Sequence, residues 1–367
     1  MSRTPPILLA LLFALGHGLS QAQAAEEKIL HIYNWSNYIA EDTIANFEKE
    51  TGIEVVYDVF DSNEVLEAKL LSGNTGFDLV VPSSDYLGRQ LNAGIFQKLD
   101  KSQLSNLGNL DPAVLKLLQE KDPDNAHAIP YLGGTTGIGY NVDKVAAVMG
   151  KDFQMNSWDA VFKPENLAKL HQCGVAFLNS PTDLFTVALR YLGRNPNSQD
   201  PQDYKEASAM LAKLRPYITY FNSSQYINDL ANGDICVAIG WSGDVMQAAS
   251  RAQESGNQVH VNYVIPREGS DVFYDMLVIP SDARHPGNAH AFINYLLRPE
   301  VIAKITNYVS YANANAAATP LVDQSIRDNP NIYYGDAMKP KMFAQQVLPQ
   351  KITRVITREW TKVMTGK

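Results

Sequence analysis

Ile29-Leu30-His31-Ile32-Tyr33-Asn34-Trp35-Ser36-Asn37-Tyr38 is the stretch from which the fold is read. The apolar, β-branched run Ile29 to Tyr33 predicts a buried strand. Asn34-Trp35-Ser36-Asn37 has turn chemistry. A helix follows from about Asp42, with Glu48 and Lys49 in its last turns and Thr51-Gly52 ending it. An indole, a phenol, a hydroxyl and an amide thus stand just past the C-terminal end of a strand, where open α/β sheets bind ligands. Taken alone, Trp35 and Tyr38 fit ordinary core aromatics equally well, because such rings bury large apolar area whatever the function.

The same unit recurs downstream. Glu54 to Val59 alternates as a strand, and Asn63 is read as the cap of a helix reaching Leu71, with Leu66 and Leu70 on one face. Phe77 to Val81 reads as a buried strand ended by Pro82. Ser83, Ser84, Asp85 and Tyr86 then place polar and aromatic groups at its end, before a helix to about Asn92. Three strand–turn–helix units predict a parallel sheet with helices on its faces.

Residues 128–141 are Gly-rich, but no Gly-Lys-Ser/Thr follows and apolar alternation continues, so neither a phosphate loop nor a dinucleotide turn fits. The segment reads as an extended strand crossing between domains, and residues 272–280 read as a second. Between them, residues 140–265 carry their own α/β pattern, with helices over 181–192 and 203–214 and a strand over 235–240. A domain inserted between two crossing strands predicts two lobes joined by a hinge.

Composition sets the outer limits. The chain has 367 residues, too many for one ordinary core. Its 45% hydrophobic and 19% charged content is globular. A net charge of −8 argues against a nucleic-acid binder and is compatible with a cationic ligand. Arg3, the apolar run Ile7 to Leu19 and Ala22-Gln23-Ala24 read as a secretory signal peptide over residues 1–24, cut after about Ala24. That run is short for a transmembrane helix, and no Cys follows the cut, so a soluble exported chain without a lipid anchor is expected. Cys173 and Cys236, the two cysteines, read in such a chain as a disulfide rather than a reactive thiol or metal site. Closing a loop of about sixty residues would stabilise the fold by roughly 4 kcal/mol. His171 is too isolated to suggest a metal, and neither metal nor cofactor is expected.

The chemistry concentrates at strand ends. Ile235 to Gly240 ends in Trp241-Ser242-Gly243-Asp244, where a helix begins; Asp244 fits a helix N-cap as well as a ligand contact. Asp275 sits inside the apolar crossing strand beside Phe273 and Tyr274. A carboxylate there is costly to bury unpaired, and no Lys or Arg lies in that strand, which points to an external cation. Aromatics (Trp35, Tyr38, Trp241, Phe273, Tyr311) and carboxylates (Asp85, Asp183, Asp244, Asp275) cluster in this way in both lobes. Aromatic faces attract ammonium groups and shield alkyl stems, while carboxylates fix charged ends. Such a box suits an alkyl diamine or polyamine.

At residues 33–39, 62–71, 226–244 and 311–315 the sequence resembles the periplasmic polyamine-binding proteins of ABC importers, the putrescine-binding branch above all. The resemblance spans essentially the whole mature chain. It implies an α/β fold of the two-lobe periplasmic solute-binding type (type II), each lobe a sheet flanked by helices, joined by crossing hinge strands and closing on ligand. The expected division is 25–134 with 268–315 as lobe 1, and 135–267 with 316–367 as lobe 2. It also implies pocket positions at Trp35, Ser36, Tyr38, Ser83, Asp183, Trp241, Asp244, Phe273, Asp275 and Tyr311, and it matches the Cys173–Cys236 pairing. Some residues depart from the pattern. Asn37 stands where the family has an acid, and Asp183 is one methylene shorter than the usual Glu. Asp85 stands where that branch has Ser, restoring a charge. Gln345 stands where it has an apolar residue and spermidine binders have Gln. Gly133 replaces a bulky residue and would open space.

The expected protein is therefore a periplasmic binding protein, monomeric, with a polyamine as ligand and an inner-membrane ABC permease as partner. A binder of an ω-amino acid or other monocationic amine is the alternative, motivated by Asn37, but an ω-amino acid needs a cation for its carboxylate and the pocket positions offer none. An exported enzyme is disfavoured, since no G-x-S-x-G elbow occurs and His31 is the one histidine in the pocket stretches. Asp85, on a turn before a helix, is expected to be more solvated than Asp275.

Overall fold

Ile29–Trp35 forms strand β1, with Leu30 and Ile32 fully buried. In the computed structural model, which describes residues 26–366, β1 lies between β2 (Glu54–Phe60) and β3 (Leu79–Val80) and runs parallel to both. The signal-peptide reading of residues 1–24 lies outside the described residues. The helices Thr43–Thr51 and Asn63–Ser72 supply the crossovers that parallel pairing requires. Ser62, not Asn63, caps the second of these helices. Its backbone is extended, and its Oγ accepts from Val65 N at 3.2 Å. β3 is shorter than its apolar run because the Asp78 carboxylate takes the His31 N–H at 3.0 Å in place of a ladder bond.

The remaining strands are β4 (Ala128–Asn141), β5 (Val175–Phe177), β6 (Tyr220–Phe221), β7 (Val237–Trp241), β8 (Val261–Val264), β9 (Asp271–Val278), β10 (Ala312–Asn313) and β11 (Phe343–Ala344). The order is β2-β1-β3-β9-β4-β7-β5-β6, with β8 and β10 also on β4 and β11 on β9. The long strand β4 is shared. Its first part pairs antiparallel with β9 up to Thr135↔Val272, and from Thr136↔Trp241 onward it pairs with β7. One strand thus passes from the sheet of one lobe into the sheet of the other, and the architecture is the two-lobe type II fold.

Each lobe has its own buried aromatic centre. Phe47 meets Phe292 at 4.9 Å between ring centroids in the first, and Trp158 stacks on Phe162 at 5.3 Å in the second. Cys173 and Cys236 are joined by a disulfide. They lie just before β5 and β7, which are parallel neighbours, so the bond staples the N-terminal ends of those strands. Among the described residues no helix is long and apolar enough to cross a membrane.

Candidate ligand-binding cleft

The C-terminal ends of the strands of both lobes face one cavity of about 590 Å³ of empty volume. β1 delivers Trp35, whose indole N–H donates to Val81 O at 2.8 Å and whose ring rests on Phe60. β7 delivers Trp241 from the other lobe, and the two indoles meet edge to face at 5.6 Å. Tyr38 lies edge-on to Tyr311 at 4.8 Å, and Phe273 sits beside Tyr311 at 6.4 Å.

Asp275 on β9 is buried at the centre. Tyr38 Oη donates to its Oδ2 and Ser83 Oγ to its Oδ1, both at 2.5 Å. Asn63 fixes Ser83 from behind, donating to its Oγ at 3.0 Å and accepting from its N–H at 3.0 Å. Burial pushes the Asp275 carboxyl up to about 7, against the two hydroxyl donors, and nearby Asp85 and Asp244 add to the rise. Asp244 is also buried. Tyr226 Oη and Tyr311 Oη each donate to it at 2.8 Å, and burial pushes its carboxyl up to about 6. It is not an N-cap: Trp241 takes that position, and Asp244 lies inside the first turn of the helix Ser242–Ser255. Gly243 is required there, because a Cβ on it would lie 2.1 Å from the Tyr311 ring.

Asp183, in the first turn of the helix Pro181–Tyr191, accepts from Trp241 Nε1 at 3.3 Å and from Gln345 Nε2 at 3.1 Å. The same Gln345 nitrogen donates to fully buried Asp271 at 3.0 Å. Burial holds the Asp183 carboxyl well above the usual range, and repulsion from Asp271 and Asp85 adds to it. At the lobe boundary Tyr86 Oη donates to Glu64 Oε1 at 2.6 Å and lies 3.0 Å from Thr182 Oγ1 of the other lobe.

Trp35, Ser36, Tyr38, Ser83, Asp85, Asp183, Trp241, Asp244, Phe273, Asp275 and Tyr311 all line the cavity. Two residues named from sequence do not. Asn37 has a left-handed backbone (φ 56°) that turns it outward, where its Oδ1 accepts from Arg251 Nη2 at 2.8 Å. Gln345 is buried behind Asp183 rather than facing the cavity. Asp85 is half-buried where Asp275 is buried, as expected, but it faces the cavity, and desolvation raises its carboxyl against the pull of Lys121. One further expectation is corrected. Gly133 opens no space, because a Cβ there would lie 2.9 Å from Phe273 O and from the Tyr274 ring.

Sequence reasoning missed Phe60, Asp61, Asn63, Ser180, Thr182, Ser223, Ser224 and Ile227, which also line the cavity, and it placed Tyr86 at a strand end without naming it as a pocket residue. Phe60 and Asp61 end β2, Ser180 and Thr182 follow β5, and Ser223 and Ser224 follow β6. The strand-end rule applied to every strand would have found them. The cavity lining therefore holds five carboxylates, Asp61, Asp85, Asp183, Asp244 and Asp275, and among the described residues no Lys or Arg.

Two lobes facing each other across an acidic and aromatic cleft define a solute-binding protein. The chain belongs to the bacterial extracellular solute-binding proteins, matching that family over residues 42–333. It is 60% identical to the putrescine-binding periplasmic protein PotF of Escherichia coli K12, over 94% of this chain and 93% of that protein. It is 54% identical to the putrescine-binding periplasmic protein SpuD of Pseudomonas aeruginosa UCBPP-PA14, over the full length of both. A solved putative spermidine/putrescine ABC transporter protein from Listeria monocytogenes superposes with a TM-score of 0.83 at 31% identity, over 93% of this chain and 100% of that one. The family is one of transport binding proteins and not of enzymes.

Proposed function

We propose that the protein captures a polyamine, putrescine first among them, in the periplasm and delivers it to an inner-membrane ABC permease, acting as a monomer. The observation that carries this reading is the five-carboxylate, aromatic-walled cavity with no lining cation. Trp35, Tyr38, Trp241, Phe273 and Tyr311 would pack the alkylene chain and offer π faces to its ends. Asp244 and Asp275 would hold one ammonium region, and Asp183 and Asp85 the other, with Ser36 and Ser83 supplying hydroxyls. An ω-amino acid would leave its carboxylate facing acids alone, which disfavours it. The ligands named for the similar proteins support the same class.

In this reading β4 and β9 are the hinge, dividing the lobes near residues 134/135 and 267/268. We take the third crossing to lie beyond Asp323 rather than at 315. Asp323 exchanges hydrogen bonds with Asn307 of the helix Pro299–Val309, which keeps that stretch on lobe 1.

Calorimetric titration of the mature protein with putrescine, cadaverine, agmatine, spermidine and γ-aminobutyrate tests the proposal. Submillimolar binding of at least one diamine or polyamine, with γ-aminobutyrate weaker, is expected. Failure of every amine would refute it.

A further inference from the structure

A second concave surface lies away from the cleft, between the helices Pro201–Leu214 and Gln350–Thr365. It is an open groove of about 900 Å³ lined by Pro201, Lys205, Gln350, Lys351, Arg354, Val355 and Arg358. Four of the seven are cations, on a chain whose net charge is −8. Lys351, Arg354 and Arg358 recur at helical spacing and so share one face.

The two helices are parallel. The groove joins their starts, Ser208 Oγ donates to Glu359 O further along, and Arg215 Nε donates to Met364 O near their ends. Both positive dipole ends therefore point the same way. The first helix is conventionally arranged, with Asp200 capping Gln202 N and Asp203 in its first turn. The second is not. Pro349 offers no side-chain cap, and the first turn holds Lys351 and no acid. Basic groups at a helix N-terminus oppose the macrodipole, so this arrangement disfavours the isolated fold. The neighbouring acids compensate it only at Arg358, which pairs with Glu359 at 3.3 Å, and no ion pair is formed by Lys205, Lys351 or Arg354 among the described residues. Asp203 and Glu206 pair with Arg194, while Glu359 takes Lys362 along with Arg358.

We infer that this groove is a docking site for an acidic loop of a protein partner. From Lys351 to Arg358 the cationic row spans seven residues, roughly 10 Å of helix. That is longer than one phosphate can satisfy and matches carboxylates repeating along an extended chain. The groove is walled by a second helix, a shape that a protruding loop fills and a flat lipid surface does not. Gln350 follows Gln345 by five residues and so stands within roughly 17 Å of the residue that holds Asp183. A loop seated here touches the segment that backs the cleft.

The test uses the mature chain and an octaglutamate peptide at low ionic strength. Binding is expected, and Lys351→Glu/Arg354→Glu should weaken it by about tenfold or more, as expected for loss of several exposed charge pairs. A control with the same charge change elsewhere, Lys98→Glu/Lys116→Glu, should change it less than about twofold. Putrescine titration should be unaltered in both, so a failure here is separable from a failure at the cleft. If the double reversal does not fold, Lys351→Gln/Arg354→Gln carries the same comparison. Equal losses in groove and control variants would overturn the inference, as would no octaglutamate binding. Groove-dependent binding of phosphatidylglycerol vesicles or inorganic phosphate that octaglutamate fails to displace would also overturn it.

Discussion

Tyr38 and Asp275, 237 residues apart in the chain, meet at 2.5 Å, the phenol donating to a carboxylate on the crossing strand β9. The acid's other oxygen is taken by Ser83, so it is hydrogen-bonded by hydroxyls and has no cationic partner among the described residues. A buried carboxylate held this way is prepared for an incoming positive charge.

Asp275→Asn is therefore expected to weaken diamine binding by about 2–5 kcal/mol, because the ligand's ammonium would be left unpaired. Asp85→Asn should cost less, since Lys121 already offsets part of that charge. Calorimetry on both variants checks the order. A ligand-free melting temperature of Asp275→Asn at or above wild type would show that the fold survives. Unchanged affinity would remove Asp275 from the site.

The pH dependence follows from the same acids. The folded carboxyls of Asp244 and Asp275 lie near 6 and 7, above the unfolded value near 4. The folded state thus binds more protons than the unfolded one across this window. The stability these groups contribute to the empty protein is present below about pH 4 and is lost as pH rises through 6 to 7. Ligand binding has the opposite slope, because an ammonium group favours the ionised acids. Affinity should fall as pH drops below about 7, and binding at pH 6.5 should release protons. Melting curves with and without putrescine, and titrations in buffers of different ionisation enthalpy, measure both. Proton uptake on binding would contradict the assignment.

Asn37→Asp should not change which amine is preferred, because Asn37 faces Arg251 across the lobes and not the cavity. It should place a carboxylate on that guanidinium and favour the closed state by about 0.2–1 kcal/mol, as exposed ion pairs do. Stopped-flow dissociation would then slow by up to about fivefold and respond to salt. A reordered ligand panel would mean that residue 37 reaches the ligand.

Removing the disulfide by Cys173→Ser/Cys236→Ser should lower stability by about 2–4 kcal/mol. It should leave affinity within about twofold, since the bond ties the strand ends opposite the cavity. Urea unfolding and calorimetry separate the two effects. A large affinity loss would show that the staple governs the cleft.

Much of the fold was legible in apolar runs and their punctuation. Ile29–Trp35 was legible from its apolar start, which a buried parallel strand requires, and Ala128–Asn141 from apolar alternation that continues through its glycines. Asn63 was misread as a cap because capping depends on the backbone of one residue, and neighbouring polar side chains look alike in sequence.

Sequence alone determined which side chains stand at strand ends, and hence that the cleft would be aromatic and acidic. That follows from a local rule, the alternation of buried strand and polar turn. Which of those side chains face the cleft was decided by tertiary structure. Asn37 and Tyr38 are adjacent, yet one left-handed residue sends the first to Arg251 and the second to Asp275. Asp85 stood on an apparently open turn, yet it lines a cavity that residues of both lobes enclose, and desolvation raises its carboxyl there. Orientation and desolvation depend on groups brought together from both lobes, and no local stretch of sequence contains them.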